Sequence, residues 1–364
     1  MDKKDIYLYI KSIKGISSIT IGKIIEEVGS VEEIINLKEK DIYNLKNISL
    51  NIKENLVKYI SHFNLDEIKE ELYKNSIQYI CIEDEEYPAK LRNIYNPPSL
   101  LFYKGDLSVI NNTLNIAMVG SRKPTSYGID CAERISYELS QRNINIVSGL
   151  ALGIDAICHK GCLKAKGKTI AVLASSLENI TPTQNKPLAD EILENGGLLI
   201  SEYNVGHYVT RGNFPCRNRI LSGISDGIIV VEAAKKSGAL ITADLGLEQG
   251  KNIFALPGNI HSEMSRGCHK IIKEGAKLIE NIEDVLEEYN NSSFNNKISI
   301  EYEIKDLNNE ELKIINAIKK QGILQIDEIC DNTGMDIKNV NSIINELLLR
   351  DLVVEMNNKM YSIN

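Results

Sequence analysis

Residues 214–258 read FPCRNRILSGISDGIIVVEAAKKSGALITADLGLEQGKNIFALPG and hold two short apolar runs, 227–233 and 252–258. Both runs are rich in β-branched and aliphatic residues and are too short for helices, so they predict strands that are buried on both faces. Residues 237–250 have helical spacing and supply the crossover that a parallel pair of strands requires. The stretch therefore predicts a strand–helix–strand unit within a parallel sheet.

The same alternation of strand and helix extends in both directions from this unit. Six further strands are predicted from short apolar runs, at 99–103, 116–120, 145–149, 169–173, 197–201 and 277–279. Helices of ordinary length separate most of them, which is the pattern of a doubly wound sheet. We therefore expect an α/β fold built on a Rossmann-like, doubly wound, mostly parallel sheet.

The chain is long enough for several domains. We expect a small all-α domain at 1–62, a Rossmann-like domain at 63–290, a polar linker at 291–304 and a C-terminal winged helix at 305–364. The all-α domain resembles tandem helix-hairpin-helix or SAM-like units. The turns of such units can hold phosphate, and a plain packing module is the alternative.

The C-terminal unit is predicted as three helices and a hairpin that turns at Asn357 and Asn358. Its third helix carries Lys338 and Arg350 as its bases, among acidic neighbours. So few bases leave a DNA-reading role and a protein-contact role equally open.

Charge and cysteine content restrict the class of protein. The formal net charge is -8, yet nucleic-acid binding depends on a local patch rather than on this average. No apolar run approaches the ~18 residues that span a bilayer, and no signal-peptide core is present, so we expect a cytoplasmic protein without membrane contact.

The seven cysteines are an odd number. Cys158, His159 and Cys162 lack a CxxC partner pair, which favours buried thiols over a metal site.

Small residues follow two of the predicted strands and open the predicted helix at 237–250. These positions lie at the edge where an open α/β sheet binds its ligands. They are Gly120 and Ser121, Ser148 and Gly149, and Ser237 and Gly238. Glycine allows a backbone N–H to approach a phosphate, and the amino end of a helix favours the anion. The first loop lacks GxGxxG and GxxxxGK[ST], which argues against NAD and against a P-loop ATPase, and no cofactor is expected.

Cationic and aromatic side chains accompany these glycines. Arg122 follows a strand end, where a guanidinium suits the phosphate of a polymer; a surface salt bridge is the alternative. Phe214 lies among Arg211, Arg217 and Arg219. A ring among guanidiniums suits nucleic acid, because the ring can stack on a base while the arginines bind phosphates. The alternative for Phe214 is a core ring.

Three residues are candidates for acid–base chemistry, and none has a clear catalytic partner. Asp155 is expected to cap its helix or to orient Arg122, and Glu232 to orient an arginine. His159 is expected to be a structural histidine. Because no Ser-His-Asp set or spaced carboxylate pair is apparent, the sequence does not indicate catalysis.

These residues together resemble the DprA/Smf family of DNA-processing proteins. The resemblance covers 65–290 and rests on motifs in the family's order, namely GSR at 120–122, SGLALGID at 148–155, FP at 214–215, RNR at 217–219, VEA at 231–233, SG at 237–238 and PG at 257–258. It implies a non-enzymatic, homodimeric protein that binds single-stranded DNA. Such a protein protects incoming DNA during natural transformation and helps to load the RecA recombinase.

The resemblance also implies roles for individual residues. Arg122 would hold backbone phosphate, Phe214 would stack on a base, and Arg217 and Arg219 would shape the pocket. Arg211 lies where the family often has a base. The DNA-binding set that it implies is Gly120, Ser121, Arg122, Ser148, Gly149, Asn185, Arg211, Phe214, Arg217, Asn218, Arg219, Ser237 and Gly238, with Asp155 and Glu232 as structural support.

The chain departs from the family in one loop, and two other functions compete. Residues 174–176 read Ala-Ser-Ser in place of glycines, and Thr181 and Pro182 replace a Tyr-Pro pair, so this loop is expected to contact DNA differently. A nucleotide-processing enzyme similar to the phosphoribohydrolases has a related fold, but its Pro-Gly-Gly-x-Gly-Thr loop is absent. The third possibility is a scaffold that binds no nucleic acid.

Overall fold

Seven parallel strands form the centre of the computed structural model, which describes residues 2–60, 64–289, 307–349, 352–356 and 360–363. Within these residues one sheet has nine strands: β1 (Gln78–Cys81), β2 (Leu100–Gly105), β3 (Asn115–Val119), β4 (Asn145–Ser148), β5 (Thr169–Leu173), β6 (Leu198–Ser201), β7 (Gly227–Val230), β8 (Asn252–Ala255) and β9 (Lys277–Leu278). Their spatial order is β1-β2-β6-β5-β4-β3-β7-β8-β9. The strands from β6 across to β9 are parallel, whereas β2 is antiparallel to both β1 and β6.

The sheet changes its winding direction between β3 and β7. From β3 the chain proceeds outward through β4, β5 and β6, and then returns to the other side of β3 as β7. Ile116 pairs with Gly227, and Val119 pairs with Val230, at this junction. This is the switch point of a doubly wound sheet, so the predicted Rossmann-like, mostly parallel fold is confirmed.

Strands that are buried on both faces appear as continuous apolar runs, and these are the strands that can be predicted from the sequence. All residues of β4, β6 and β7 are buried. β1 is missing from the sequence prediction. It lies at the edge of the sheet, and Gln78 and Tyr79 at its start are not buried, so its apolar run is too short to be recognised.

Helices cover both faces of this sheet. They are α1 (Lys3–Ser12), α2 (Ser18–Val28), α3 (Val31–Ile34), α4 (Glu39–Asn44), α5 (Leu50–Ile60), α6 (Asp66–Lys74), α7 (Ala89–Arg92), α8 (Val109–Asn112), α9 (Ser126–Gln141), α10 (Ile154–Lys164), α11 (Lys186–Glu194), α12 (Asn213–Ile224), α13 (Gly238–Glu248), α14 (Arg266–Lys273) and α15 (Glu283–Leu286). Short 3-10 helices span Thr183–Asn185, Glu263–Ser265 and Glu287–Tyr289. No helix in the described ranges is both long and apolar enough to cross a membrane.

The amino-terminal helices contain two similar pieces, 13–25 and 45–57. Each piece joins two helices through a turn with a left-handed residue, Gly15 (φ 89°) in the first and Asn47 (φ 55°) in the second. The all-helical prediction for this region is confirmed. A helix-hairpin-helix role for the turns stays a prediction.

Contacts divide the chain into two compact units, Met1–Val285 and Leu286–Asn364. In the first unit, Ile24 of α2 belongs to the same hydrophobic core as Phe102 of β2. The boundary expected at 62/63 therefore falls inside a continuous core, because the amino-terminal helices bury their apolar faces against the sheet. As a division between domains it stays a prediction.

The second unit has the element order of a winged helix. It consists of α16 (Asn309–Gln321), α17 (Ile326–Thr333), α18 (Ile337–Leu349) and the antiparallel strands β10 (Leu324–Gln325), β11 (Val353–Met356) and β12 (Met360–Ile363). The predicted helices and hairpin strands are confirmed. The turn expected at Asn357 and Asn358 and the linker expected at 291–304 lie outside the described residues.

A buried ionic cluster joins the amino-terminal helices to α12. Glu202, which follows β6 and is 6% exposed, accepts hydrogen bonds from Lys11 Nζ (3.2 Å), Ser18 Oγ (2.6 Å) and Arg219 Nη2 (2.7 Å). Burial opposes ionisation of this carboxyl, but the facing charges of Lys11 and Arg219 outweigh it and lower the pKa below its usual 4.5. The cluster therefore fixes α12 against α1 and α2.

Replacing Glu202 by alanine is expected to lower the free energy of unfolding by about 3–5 kcal/mol, because the largely buried side chains of Lys11 and Arg219 would lose their counter-charge. Glu54, an exposed residue of α5, provides the matched control. Glu54→Ala should change the same quantity by less than about 0.5 kcal/mol. Urea unfolding at neutral pH measures both variants, and equally small changes would contradict the cluster.

Acid titration of stability gives a second readout of this prediction. Because the folded pKa of Glu202 is lowered, its stabilising contribution is complete above the unfolded value near 4.5 and disappears as the pH falls through the folded value. As the pH falls below about 4.5, the free energy of unfolding of the wild type should therefore decrease more steeply than that of Glu202→Gln. Parallel acid profiles would show that the carboxylate contributes nothing.

Candidate functional site

The carboxyl ends of β3 and β7 open onto a cavity of about 450 Å³. Three segments supply most of its wall: the residues after β3, the first turns of α12 and the turn before α13. The predicted DNA-binding residues that line it are Gly120, Ser121, Arg122, Phe214, Arg217, Asn218, Ser237 and Gly238. The cavity thus lies at the switch point, where ligands bind in this class of fold.

Arg122 and Phe214 contact each other in the wall of this cavity. The Cζ atom of Arg122 lies 5.1 Å from the centroid of the Phe214 ring, which is the geometry of a cation–π interaction. Arg122 is exposed and forms no ion pair with any residue that the structure describes, so the surface salt bridge is not observed. Phe214 is half-buried and lines the cavity rather than the core. The cavity wall therefore offers a cation and an aromatic ring side by side to a ligand.

Close packing of two loops requires glycine at two positions beside Arg122. Gly153 has a φ of 82°, and a Cβ atom there would lie 2.3 Å from the carbonyl oxygen of Ser121. A Cβ atom on Gly120 would lie 2.7 Å from Cγ1 of Ile154. Both distances are far below van der Waals contact. The loop after β4 can therefore approach the loop after β3 only because these residues lack side chains.

Arg217 lies beneath the cavity and is 5% exposed. Its Nη1 donates hydrogen bonds to the carbonyl oxygen of Gly149, at 2.7 Å, and to that of Val172. Burial lowers the pKa of this guanidinium to about 10, so it stays charged at neutral pH. Arg217 therefore joins the ends of β4 and β5 to α12 and places positive charge under the cavity.

Asp155 holds the loop that follows β4. Its Oδ2 accepts hydrogen bonds from the N–H groups of Gly149 (3.1 Å) and Ala151 (3.4 Å). Burial raises the pKa of this carboxyl, and the charge of Arg217 opposes that shift. The two roles expected for Asp155 need correction, because its bonds go to the loop and neither cap α10 nor hold Arg122.

Glu232 holds the amino end of α9 instead of orienting an arginine, which corrects the expectation. Its Oε1 accepts from the hydroxyl of Thr125 at 2.6 Å, and its Oε2 accepts from the N–H of Thr125 at 2.9 Å. Thr125 in turn caps α9 by accepting from the N–H of Gly128 at 3.2 Å. Glu232 thus supports the loop that carries Arg122.

Two predicted DNA-binding side chains are buried with internal partners. Ser148 Oγ donates to the carbonyl oxygen of Met118 at 2.7 Å, and Asn185 Nδ2 donates to that of Leu150 at 2.8 Å. Gly149 is also buried, beneath the guanidinium of Arg217. These residues shape the loop behind the cavity and do not line it.

The other two arginines of this region also lie outside the cavity wall. Arg219 is two residues from Arg217 on α12, and positions two apart on a helix point to opposite sides. Its Nη2 consequently lies 2.7 Å from Glu202. Arg211 is exposed in the turn before α12.

Lys236 lines the cavity and is missing from the sequence prediction. It is exposed and directly precedes Ser237, the N-cap of α13, whose Oγ accepts from the N–H of Ala239 at 3.3 Å. A base next to the amino end of a helix is a recognisable anion-binding signal. The sequence therefore contains enough information to add Lys235 and Lys236 to the predicted binding residues. Together with Arg122, Lys236 gives the cavity two exposed cations.

His159 has the structure of a core residue. Its Nδ1 lies 2.7 Å from the hydroxyl of Thr169, which itself donates to the carbonyl oxygen of Ile146. Burial lowers the pKa of this imidazole to about 3, so it is neutral. Among the residues that the structure describes, no group of three or more His, Cys, Asp or Glu side chains could hold a metal ion.

Comparison with known protein families and sequences gives one consistent result. The model of the family described as DNA recombination-mediator protein A matches residues 78–290, more than half of the chain. DNA processing protein DprA of Bacillus subtilis is 42% identical over 215 residues, which cover 59% of this chain and 72% of the relative. DNA processing protein DprA of Streptococcus pneumoniae is 44% identical over 208 residues, which cover 57% and 73%.

Two solved structures are similar to the fold described here. DNA processing protein A from Streptococcus pneumoniae has a TM-score of 0.68 and 35% identity, covering 79% of this chain and 99% of that chain. DNA processing protein A from Helicobacter pylori, studied for its single-stranded DNA binding mode, has a TM-score of 0.53 and 32% identity, covering 59% and 96%. The residues that the family model matches include the whole cavity wall. The chain therefore belongs to the DNA recombination-mediator protein A family.

Proposed function

We propose that this chain is a single-stranded DNA-binding recombination mediator that acts without catalysis. It protects incoming DNA during natural transformation and helps to load the RecA recombinase, acting as a homodimer in the cytoplasm. The observation that carries the proposal is the Arg122 guanidinium held against the Phe214 ring in a cavity at the switch point. Membership of the family and the single-stranded DNA binding described for the Helicobacter pylori relative support it.

The cavity offers separate partners for phosphates and for bases. Arg122 and Lys236 supply exposed positive charge, and Gly238 at the amino end of α13 supplies a backbone N–H for an anion. The Phe214 ring supplies a stacking surface. Because neither kind of contact reads a base edge, the site suits an unpaired strand of any sequence.

The remaining residues of the predicted DNA-binding set support this surface from below. We assign direct contact to Gly120, Ser121, Arg122, Arg211, Phe214, Asn218, Ser237 and Gly238. The residues with internal partners hold these residues in place, and they are Ser148, Gly149, Asp155, Asn185, Arg217, Arg219 and Glu232. This division follows the hydrogen bonds that occupy each supporting side chain and the close packing at Gly149.

The acidic and imidazole groups of the region favour binding over catalysis. Asp155 accepts two backbone N–H groups at its Oδ2, both oxygens of Glu232 accept from Thr125, and His159 is neutral and fully buried. Of the three, Asp155 is the one that lines the cavity, and its Oδ2 is bonded to the N–H groups of the loop after β4. We therefore expect no release of free base from nucleoside monophosphates, the reaction of the phosphoribohydrolase alternative.

Binding is expected to prefer single strands over duplex, with little dependence on sequence. Bases in a duplex are stacked on each other, so a protein ring cannot reach their faces without unpairing them. Affinity should also fall as salt rises, because phosphate contacts release counterions. Fluorescence anisotropy with one sequence in both forms, at several salt concentrations, measures this. Equal affinity for the two forms would overturn the proposal.

Arg122→Ala and Phe214→Ala are expected to weaken binding in different ways. Loss of Arg122 removes a phosphate contact, so the slope of log affinity against log salt should decrease by about one unit. Loss of the Phe214 ring should cost roughly 1–3 kcal/mol of binding free energy through lost stacking, with the slope nearly unchanged.

The matched control for Arg122, which precedes the amino end of α9, is Arg142. This arginine is also exposed and directly follows the carboxyl end of the same helix. Arg142→Ala should leave both the affinity and the slope unchanged. Melting temperatures of all three variants separate binding from folding. A thermally normal Phe214→Ala variant with wild-type affinity would remove the stacking role.

Deleting residues 300–364 should leave most of the single-strand affinity intact. The C-terminal unit is compact by itself, and its third helix carries few bases. Affinity of the shortened and the full chain for the same strand, in one buffer, tests this. A folded shortened chain that loses most of its affinity would place the main binding site in the winged helix.

A further inference from the structure

The loop that joins β6 to α12 carries a large aromatic residue in solvent. Tyr208 is 85% exposed, and its hydroxyl has no hydrogen-bond partner among the described residues. We propose that Tyr208 is a second stacking site, which holds an unpaired nucleobase beside the one bound at Phe214. This inference rests on the proposed function and assigns it a site outside the cavity.

Internal contacts hold this loop in one shape. The N–H of Gly206 donates to Glu178 Oε1 at 2.8 Å, which fixes the loop to the segment after β5. The rings of Tyr203 and His207 stack with centroids 4.4 Å apart and an interplanar angle of 22°. Since the residues next to Tyr208 are anchored, its exposure is a property of the fold and not of a loose chain.

Asn213, the first residue of α12, anchors the other side of the loop. Its Nδ2 lies 2.8 Å from Nε2 of His207, and its Oδ1 accepts from the N–H of Thr210 at 3.1 Å. The side chain thus ties the residues on both sides of Tyr208 to the helix that carries Phe214. A ring held in this way can accept a base without first ordering its own backbone.

The order of side chains along the loop matches the order of groups in a nucleic acid strand. Tyr208, Arg211 and Phe214 follow each other at intervals of three residues, and Arg211 is exposed. Each interval spans at most about 10 Å of chain. A nucleic acid strand likewise alternates bases with phosphates. The loop therefore offers a ring, a cation and a second ring to two bases and the phosphate between them.

The topology places all three residues at one edge of the sheet. The loop starts at the carboxyl end of β6, and the cavity lies at the carboxyl ends of β3 and β7, which are parallel to β6. Exposure alone would not select Tyr208, because Tyr73 is 86% exposed. Tyr73 lies in the last turn of α6, just before β1. The direction of β1 matches that of β6, so Tyr73 lies at the opposite, amino edge.

The test compares Tyr208→Ala, Tyr208→Phe and Tyr73→Ala in the full chain by anisotropy with a single thymidine homopolymer. Tyr208→Ala should weaken binding about five-fold or more, which corresponds to about 1 kcal/mol for one stacked base. Tyr208→Phe keeps the ring and should bind like the wild type. Tyr73→Ala, with the same exposure at the other edge, should also bind like the wild type.

A fully abasic strand of equal length separates stacking from other effects. It keeps the phosphates and lacks the bases, so Tyr208→Ala and the wild type should bind it equally. Equal weakening on both strands would overturn the proposal, and so would wild-type affinity of Tyr208→Ala for thymidine. If Tyr208→Ala binds thymidine like the wild type while Phe214→Ala binds it more weakly, the second stacking site is refuted and the proposed function stands. If the wild type itself does not bind single strands, the proposed function fails with it.

Discussion

The buried guanidinium of Arg217 is the contact on which the carboxyl edge depends. It bonds to the carbonyl oxygens of Gly149 and Val172, so a single side chain of α12 joins the ends of β4 and β5. A buried charge is tolerated only when its donors are satisfied, and these two strand ends supply the acceptors. Because Phe214 precedes Arg217 by one turn of the same helix, the position of the ring follows from the position of the guanidinium.

Three acidic residues near this edge are bonded to internal partners, so their charges are compensated inside the protein, although the chain has a net charge of -8. Glu202 faces Lys11 and Arg219, Asp155 accepts from loop N–H groups, and Glu232 accepts from Thr125. Arg122 and Lys236 remain as exposed cations in the cavity wall. The sign of the surface is therefore decided by which charges are buried, and the total charge says little about it.

The sequence predicts the sheet well because a doubly covered strand is a continuous apolar run, and it predicts Arg122 and Phe214 because they follow strand ends and glycines. Other features depend on geometry that spacing does not reveal. Asp155 bonds to a loop whose path needs positive φ values at Leu150 and Gly153. The opposite directions of Arg217 and Arg219 follow from helical rotation and could have been foreseen, since the two residues are two positions apart.

The contact between Arg122 and Phe214 has a consequence for the entropy cost of recognition. A long, exposed arginine normally loses side-chain entropy when a ligand fixes it. Here the guanidinium already rests on the ring in the free protein, 5.1 Å from its centroid, so part of that ordering precedes the encounter with a ligand. One face of the ring is covered by the cation, so a flat ligand would have to stack on the opposite face. The pair therefore acts as a preorganised unit, in which changing either residue alters the rotamer freedom of the other.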